Sequence, residues 1–269
     1  MKQKIIPILI ILFGFALLSY PFISNYMFEK SAGSTIKSYE KQAKTYDQKQ
    51  KEQAFRKAEE YNKDLIKSVV QLTDPFKVKK SNGETLIYNN ILNIDHSGVM
   101  GYLEIPEIRV KLPIYHGTGD FAICNGAGHV EGSSFPIGGK GTHAVLSSHR
   151  GLPGAKLFSD LDKLEGDYFT ITVLRQTIFY QIDRIDIVEP EETGLLALDK
   201  EKDYCTLLTC TPYGINTKRL LVRGVRCEVT ERAEPIRTGE KTYRGWYAVI
   251  GLFVAGVILC WKRKKKRRG

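Results

Sequence analysis

Two long apolar runs bracket the chain, and shorter alternations of apolar and polar residues fill the interval between them. Ile5 to Ile23 holds 19 residues without a charge, and Gly245 to Trp261 holds 17. Both runs come close to the length that an α-helix needs to cross the hydrocarbon core of a bilayer. The pattern therefore predicts a membrane anchor over residues 1–24 and a transmembrane helix over residues 245–261.

Residues 25–80 carry a helical pattern. Apolar side chains recur there mostly at three- and four-residue steps, at Ile36, Tyr39, Ala43, Tyr46, Ala54, Ala58, Tyr61, Leu65, Val69 and Leu72. One apolar stripe of this kind predicts a helix or helix pair that packs on the main domain, with a free stalk as the alternative. The helix should stop before Pro75, because a proline disfavours helical geometry at the preceding Asp74.

From Val99 onward the pattern is that of β-strands. Six runs are separated by glycine- and proline-rich turns: 99–108, 110–117, 142–149, 168–190, 204–210 and 218–230. They predict seven strands, because the run 168–190 is long enough for two. Short helices are expected at Ala155–Leu164 and over residues 194–199. Many short strands with inserted helices favour a mainly β fold, a closed barrel of about eight strands over residues 81–235. Residues 236–244 then form a linker to the second apolar run.

The net charge of +10 lies at the two ends of the chain. Nine of the 40 basic residues are Lys2, Lys4 and seven residues of the tail 262–269, which leaves 31 against 30 acidic residues in the body. The positive-inside rule therefore predicts cytoplasmic termini at the cell membrane and an extracellular body. A cleaved signal peptide near Ser31 and a nucleic-acid-binding tail are the alternatives. A basic run directly after a membrane segment favours a topology signal, so no nucleic-acid partner is predicted.

The cysteines of the chain do not have the spacing of a metal site. There are five of them, without a C-x-x-C pair, and Cys260 lies in the second apolar run. An odd number of cysteines outside the cell indicates a free thiol rather than a disulfide framework. The sequence predicts neither a metal nor an organic cofactor.

One cysteine stands where a nucleophile could be reached. Cys210 ends an apolar strand, and Arg219 begins the next strand after a turn that contains Pro212, Gly214 and Asn216, three residues suited to turns. If the loop closes symmetrically, Cys210 and Arg219 lie opposite each other, with their Cβ atoms about 5 Å apart. The arginine would then stand beside the sulfur, where a cation stabilises an oxyanion. Arg223 is the alternative, although Arg219 is nearer the strand mouth.

A cysteine nucleophile also needs a group that exchanges protons with it, and histidine is the usual one. His149 is the best candidate of five because it ends a strand before the tight turn Arg150–Gly154. His143 begins the same strand and should lie about 20 Å away from it. The three residues also have ordinary interpretations: Cys210 as a core cysteine, His149 as a surface histidine and Arg219 as a solvated arginine.

The stretches "TLLTCTPYGINTKRLLVRG" and "GKGTHAVLSSHRGLPGAKLFSDLDKL" resemble the two active-site motifs of sortases, the surface transpeptidases of Gram-positive bacteria. "HRGLP", "TCTPYGIN" and "AGHVEGSSFPIGGKGTH" resemble class C sortases more narrowly, and the similarity covers most of residues 65–230. The resemblance implies a nucleophile at Cys210, an acid/base at His149 and an oxyanion-stabilising arginine at Arg219. Thr209 would add a contact to the acyl carbonyl. The chain departs from the family pattern at Lys218 and Ser148, where many members have histidine and glycine.

The resemblance also implies a lid over the cleft, since "TDPF" (Thr73 to Phe76) matches the Asp-Pro-aromatic motif of class C lids. Asp74 would pair with Arg219, and Phe76 would cover Cys210 in place of substrate. A simple helix stop is the alternative interpretation.

The function that follows from the resemblance is pilin polymerisation. Such an enzyme cleaves a Leu-Pro-x-Thr-Gly-like sorting motif between Thr and Gly through a thioester on Cys210, and joins the product to a lysine amine of another pilin by an isopeptide bond. Anchoring of surface proteins to a cell-wall peptide and a non-enzymatic membrane scaffold are the alternatives. A papain-like hydrolase fits poorly, because its cysteine should precede its histidine and lie on a helix.

Overall fold

The computed structural model describes residues 2–67, 72–76 and 85–228. The chain divides into residues 1–233 and residues 234–269, and the fold below is that of the first unit. The predicted linker, second transmembrane helix and basic tail, over residues 236–269, lie outside the described residues.

The described residues form four α-helices in addition to the β-strands. Their bounds are α1 Lys2–Thr45, α2 Gln48–Lys67, α3 Thr85–Asn90 and α4 Asp120–Asn125. Helix α1 is continuous through the first apolar run and the first half of the predicted apolar stripe. Among the described residues, its portion Ile11–Thr45 is the one helix long and apolar enough to cross a membrane.

The remaining described chain forms a closed barrel of eight strands, which confirms the predicted mainly β class. The strands are β1 Val99–Ile105, β2 Val110–His116, β3 Ala127–His129, β4 Thr142–Ser147, β5 Tyr168–Val173, β6 Gln176–Val188, β7 Asp203–Thr211 and β8 Lys218–Cys227. Their order around the barrel is β1-β2-β3-β4-β7-β8-β6-β5. The pairs β2–β3 and β4–β7 are parallel, and the other pairs are antiparallel.

Sequence periodicity misjudged three segments. The helix expected over residues 194–199 is a 3-10 turn at Gly194–Leu196. Strand β3 has three residues, Ala127–His129, which is too short for an alternating pattern. The predicted helix at Ala155–Leu164 is wrong in its extent, because only a 3-10 turn at Leu161–Lys163 forms. Its apolar residues still reach the core, because the backbone makes successive three-residue turns, such as Leu161 N–H to Phe158 O and Leu164 N–H to Leu161 O.

Helices α1 and α2 share the core of the barrel. Tyr39 is buried, and its hydroxyl donates to the Met100 carbonyl and accepts from the Leu174 N–H. On α2, the buried Asn62 exchanges two hydrogen bonds with the backbone of Phe135. The apolar stripe thus packs on the main domain, as predicted, and the stalk alternative is excluded.

Candidate active site

The β7–β8 hairpin carries the predicted cysteine and arginine. Cys210 lies directly opposite Arg219 in the antiparallel register, as the symmetric loop predicts. The turn between them closes on the Pro212 carbonyl, which accepts from the N–H groups of Ile215 and Asn216 at 3.0 and 2.9 Å. Asn216 adopts φ 61°, a left-handed conformation that asparagine tolerates.

Cys210 and Arg219 lie on the outer face of the barrel wall. Strand alternation puts them on the same face as Leu208 and Leu221. Those two leucines belong to a small apolar cluster separate from the barrel core, here called the outer cluster, formed by Val130, Val145, Leu196, Leu208 and Leu221. The cysteine therefore ends an apolar surface on the outside of the barrel.

Thr209 points the other way. Its side chain is fully buried, and its hydroxyl donates to the Ser148 carbonyl at 2.7 Å. This bond ties the strand of Cys210 to the residue before His149. A contact of Thr209 with an acyl carbonyl, implied by the resemblance, stays a prediction.

His149 follows the end of β4, which runs parallel to β7 with Ser147 opposite Leu208. The His149 carbonyl accepts from the Phe158 N–H, so the loop after it is folded back onto the strand end. The imidazole lies 5.9 Å from the Phe76 ring, between centroids. Ser148 is fully buried and donates to the Gly126 carbonyl, so this departure from the family pattern is a structural contact.

Three other histidines are held away from this site. His143 is opposite Tyr204, six residues before Cys210 on β7, and its ring contacts the Ala197 carbonyl and the Thr206 hydroxyl. His116 bonds two backbone carbonyls, and His129 bonds the Tyr88 hydroxyl. Of these four histidines, His149 is the one beside the hairpin.

Arg223, the alternative to Arg219, has partners of its own. Its guanidinium makes two hydrogen bonds to Asp183, at 3.1 and 2.7 Å, and lies 4.2 Å from the centre of the Tyr204 ring. Arg219 is therefore the arginine that faces Cys210.

The segment Thr73–Phe76 covers the hairpin. Asp74 accepts two hydrogen bonds from Arg219, at 2.9 and 2.7 Å, so the predicted pairing is present. The Phe76 ring lies 5.1 Å from the Arg219 guanidinium carbon and also meets the His149 ring. The Pro75 carbonyl accepts from the Thr118 hydroxyl at 3.3 Å, which fastens the segment to the loop before α4.

The cover leaves little space around Arg219 and the outer cluster. Cys210 is 8% exposed, and Leu72 and Phe76 pack against the outer cluster. The crevice between Asp74 and the loop after β6 holds about 10 Å³ of water-sized space, enough for at most one water molecule. The cleft is closed in this structure.

Burial shifts both titrating groups toward their neutral forms. Burial raises the pKa of the Cys210 thiol, the positive charge of Arg219 lowers it, and the negative charge of Asp74 raises it further. Burial also lowers the pKa of His149, against a weaker opposite effect of Asp120. Both shifts favour the neutral thiol and the neutral imidazole, and a neutral thiol is a poorer nucleophile than a thiolate.

Two contributors to the site were missed by sequence reasoning. Arg150 donates to the Thr211 hydroxyl at 3.0 Å and pairs with Asp162 at 2.6 Å, joining the loop after His149 to the end of β7. Its place next to His149 was the available signal. Thr118 gave none, because nothing in its local sequence indicates that it meets Pro75.

The described residues contain no group of three or more His, Cys, Asp or Glu side chains placed to hold a metal ion. The four cysteines that the structure describes, Cys124, Cys205, Cys210 and Cys227, are free thiols.

Known proteins share this fold and its motifs. The family model of the sortase domain matches residues 103–227. Sortase C1 from Streptococcus agalactiae is 45% identical, covering 73% of this chain and 100% of that one, with a TM-score of 0.67. Sortase C from Streptococcus pneumoniae is 41% identical, covering 74% of this chain and 100% of that one, with a TM-score of 0.68.

A curated relative extends the comparison to another genus. Sortase D of Bacillus subtilis (strain 168) is 33% identical over 130 residues, which are 47% of this chain and 63% of that protein's length. Fold and sequence together define the class of protein, a β-barrel transpeptidase. The chain belongs to the sortase family, and the solved structures that it resembles are class C sortases.

Proposed function

We propose that this chain polymerises pilins, by cleaving a Leu-Pro-x-Thr-Gly-like sorting motif and joining it to a lysine amine of another pilin. The observation that carries the proposal is the cross-strand pair of Cys210 and Arg219, covered by Asp74 and Phe76. The Streptococcus pneumoniae sortase C to which the chain is similar is described in terms of pilin substrate specificity.

In the proposed reaction, His149 first takes the proton of the Cys210 thiol, and the resulting thiolate attacks the threonine carbonyl of the sorting motif. The negative charge that develops on the carbonyl oxygen is stabilised by the Arg219 guanidinium, which Asp74 must first release. His149 protonates the departing glycine amine, leaving a thioester on Cys210. A lysine amine then attacks the thioester and loses its proton to His149, which restores the thiolate and forms the isopeptide bond.

The outer cluster is the proposed site for the apolar residues of the motif. Its side chains lead along the barrel wall to Cys210, and in the covered state Leu72 and Phe76 rest on them. Substrate and lid would therefore compete for one surface. The lid occupies that surface with apolar side chains and a bidentate ion pair, so we propose that the free enzyme is self-inhibited.

The apolar part of α1 is the proposed membrane anchor, with the catalytic domain extracellular and both termini cytoplasmic. The proposed domain layout keeps the anchor at 1–24, the lid-bearing helices at 25–80 and the catalytic barrel at 81–235. Tethering in the membrane that holds the substrates raises their effective concentration at the site.

Incubation of the full chain in detergent with its candidate pilin tests the proposal. Denaturant-resistant ladders on a gel that disappear with Cys210→Ala are expected. Cleavage of a sorting-motif peptide with transfer to a cell-wall peptide amine, but no ladders even with Asp74→Asn, would favour the anchoring function. A folded protein that is inactive in both assays would favour the alternative of a non-enzymatic membrane scaffold.

A substitution of Arg219 can be compared with the same substitution of Arg223 on the same strand. Arg219→Lys keeps the charge but loses the planar fork, and we expect kcat to fall by about 10²- to 10³-fold, as for other oxyanion donors. Arg223→Lys makes the same change at an arginine that also binds a carboxylate and a ring. An equal loss in the two variants would contradict the role of Arg219.

A further inference from the structure

Helix α1 fixes the position of the barrel along the helix axis, relative to the apolar run. The helix is unbroken from Lys2 to Thr45, and the side chains of its apolar run, such as Leu17, Leu18 and Ile23, are exposed. The run ends at Ile23, and the next residues, Ser24 and Asn25, already contact the barrel. The body thus begins where the predicted membrane span ends.

The part of the barrel that meets this point is the loop after His149. The Lys156 N–H donates to the Asn25 side-chain oxygen at 2.9 Å. Gly154, at φ 84°, packs so closely that a Cβ there would overlap the Ser24 side chain. The loop that follows His149 in the chain therefore lies against the end of the apolar run.

A different part of the barrel stands at the far end of α1. Tyr39 follows Asn25 by 14 residues, or about 21 Å at 1.5 Å per residue. Its hydroxyl bonds the backbone of Met100 and of Leu174, the latter in the turn between β5 and β6. If α1 crosses the membrane, the β5–β6 turn is therefore remote from the bilayer and the loop after His149 is next to it.

The turn beside Cys210 presents two exposed apolar side chains close to the end of the apolar run of α1. Tyr213 and Ile215 are 61% and 68% exposed. The Tyr213 ring lies over Gly151, where a Cβ would come within 3.0 Å of it. Gly151 is three residues from Gly154, a reach of at most about 11 Å. The two side chains are thus close to the level where the apolar run of α1 ends.

We propose that Tyr213 and Ile215 insert into the interfacial layer of the membrane that α1 crosses, so that Cys210 opens toward the bilayer surface. Tyrosine is favoured at this layer, and the two side chains lie close to the end of the apolar run of α1, which points to the lipid surface as their partner. The inference rests on the membrane anchoring within the proposed function and not on the transpeptidation. A sorting motif next to its own membrane segment would then be at the height of Cys210.

Quenching by brominated lipids tests the proposal on the full chain in phosphatidylcholine vesicles. In a Trp246→Phe, Trp261→Phe background, Tyr213→Trp is compared with Arg175→Trp, an exposed position in the β5–β6 turn. Lipids brominated near the headgroup should reduce the Tyr213→Trp emission at least twofold and leave the Arg175→Trp emission nearly unchanged. Ile215→Trp provides a second position if Tyr213→Trp fails to fold.

Equal quenching at the near and far positions, or none at residues 213 and 215, would overturn the proposal. Absent quenching with an emission shift on adding pilin would assign the two side chains to a protein partner instead. The readout needs no turnover, so it is separate from the proposed function. Quenching without ladders would support the membrane contact and contradict pilin polymerisation. Ladders without quenching would support pilin polymerisation and contradict the membrane contact.

Discussion

At the scale of single residues, Asp74 acts on both groups that the proposed reaction uses. It accepts hydrogen bonds from the two Arg219 donors that would meet the oxyanion in that reaction. Its negative charge also adds to the effect of burial, which raises the pKa of Cys210. One carboxylate thus holds the arginine and disfavours the thiolate, which makes the Asp74–Arg219 pair the proposed fastening of the lid.

Asp74→Asn should increase the rate at which iodoacetamide alkylates Cys210 at neutral pH by about tenfold, because a buried negative charge and a buried ion pair are lost together. The pH profile of alkylation should move to lower pH. Mass spectrometry of the Cys210 peptide measures both. Asp183→Asn, which removes the matching pair with Arg223, is the control. Unchanged alkylation in Asp74→Asn would contradict the lid.

At the scale of elements, the spacing of His149 and Cys210 depends on the parallel pair β4–β7. Two side-chain bonds cross this junction, from Thr209 to the Ser148 carbonyl and from Arg150 to Thr211. The strand ends are thereby held together although about 60 residues of chain separate them. We infer that Thr209 is a positioning residue, since its hydroxyl is already bonded inside the barrel.

Thr209→Val should lower kcat for a sorting-motif peptide by about tenfold with little change in KM, because the His149 strand end loses its tie to the Cys210 strand. The unpaired Ser148 carbonyl should also cost about 1–3 kcal/mol of unfolding free energy. Peptide cleavage kinetics and urea unfolding measure the two effects. Thr209→Ser keeps the hydroxyl and should restore both, and a serine variant as poor as the valine variant would refute the positioning role.

At the scale of the whole molecule, two buried histidines couple stability to pH. Burial lowers the pKa of His129 to about 3 and that of His143 to about 4. Both are neutral in the folded protein, whereas the unfolded chain binds their protons below about pH 6.5. A lowered histidine pKa gives stability that is present above pH 6.5 and lost as pH falls toward the folded pKa.

Between pH 6.5 and pH 5, each of these histidines should therefore reduce the free energy of unfolding by about 2 kcal/mol, at about 1.4 kcal/mol per pH unit. Urea unfolding in mild detergent, followed by near-ultraviolet circular dichroism, measures the loss. His143→Gln should remove the contribution of His143 to this loss, about 2 kcal/mol between pH 6.5 and pH 5. A free energy of unfolding that does not change over this range would show that the two side chains stay accessible to protons.

Much of the local structure was available from the sequence. Period-two runs marked seven of the eight strands, and the eight residues between Cys210 and Arg219 gave their register, because a hairpin is closed by its own loop. The stripe containing Tyr39 and Ala58 marked the packed faces of α1 and α2. These features depend on residues that are neighbours in the chain, so a single sequence expresses them.

The sequence by itself determined seven of the eight strands, the hairpin of Cys210 and Arg219, and the motifs that resemble sortases. Only the tertiary structure decided which distant segments meet at that hairpin. Asp74 reaches Arg219 across 145 residues, and Asn25 reaches Lys156 across 131. No local period specifies such pairings, because barrel closure and core packing select them from many alternatives. Family resemblance anticipated the first pairing, and nothing in the sequence anticipated the second.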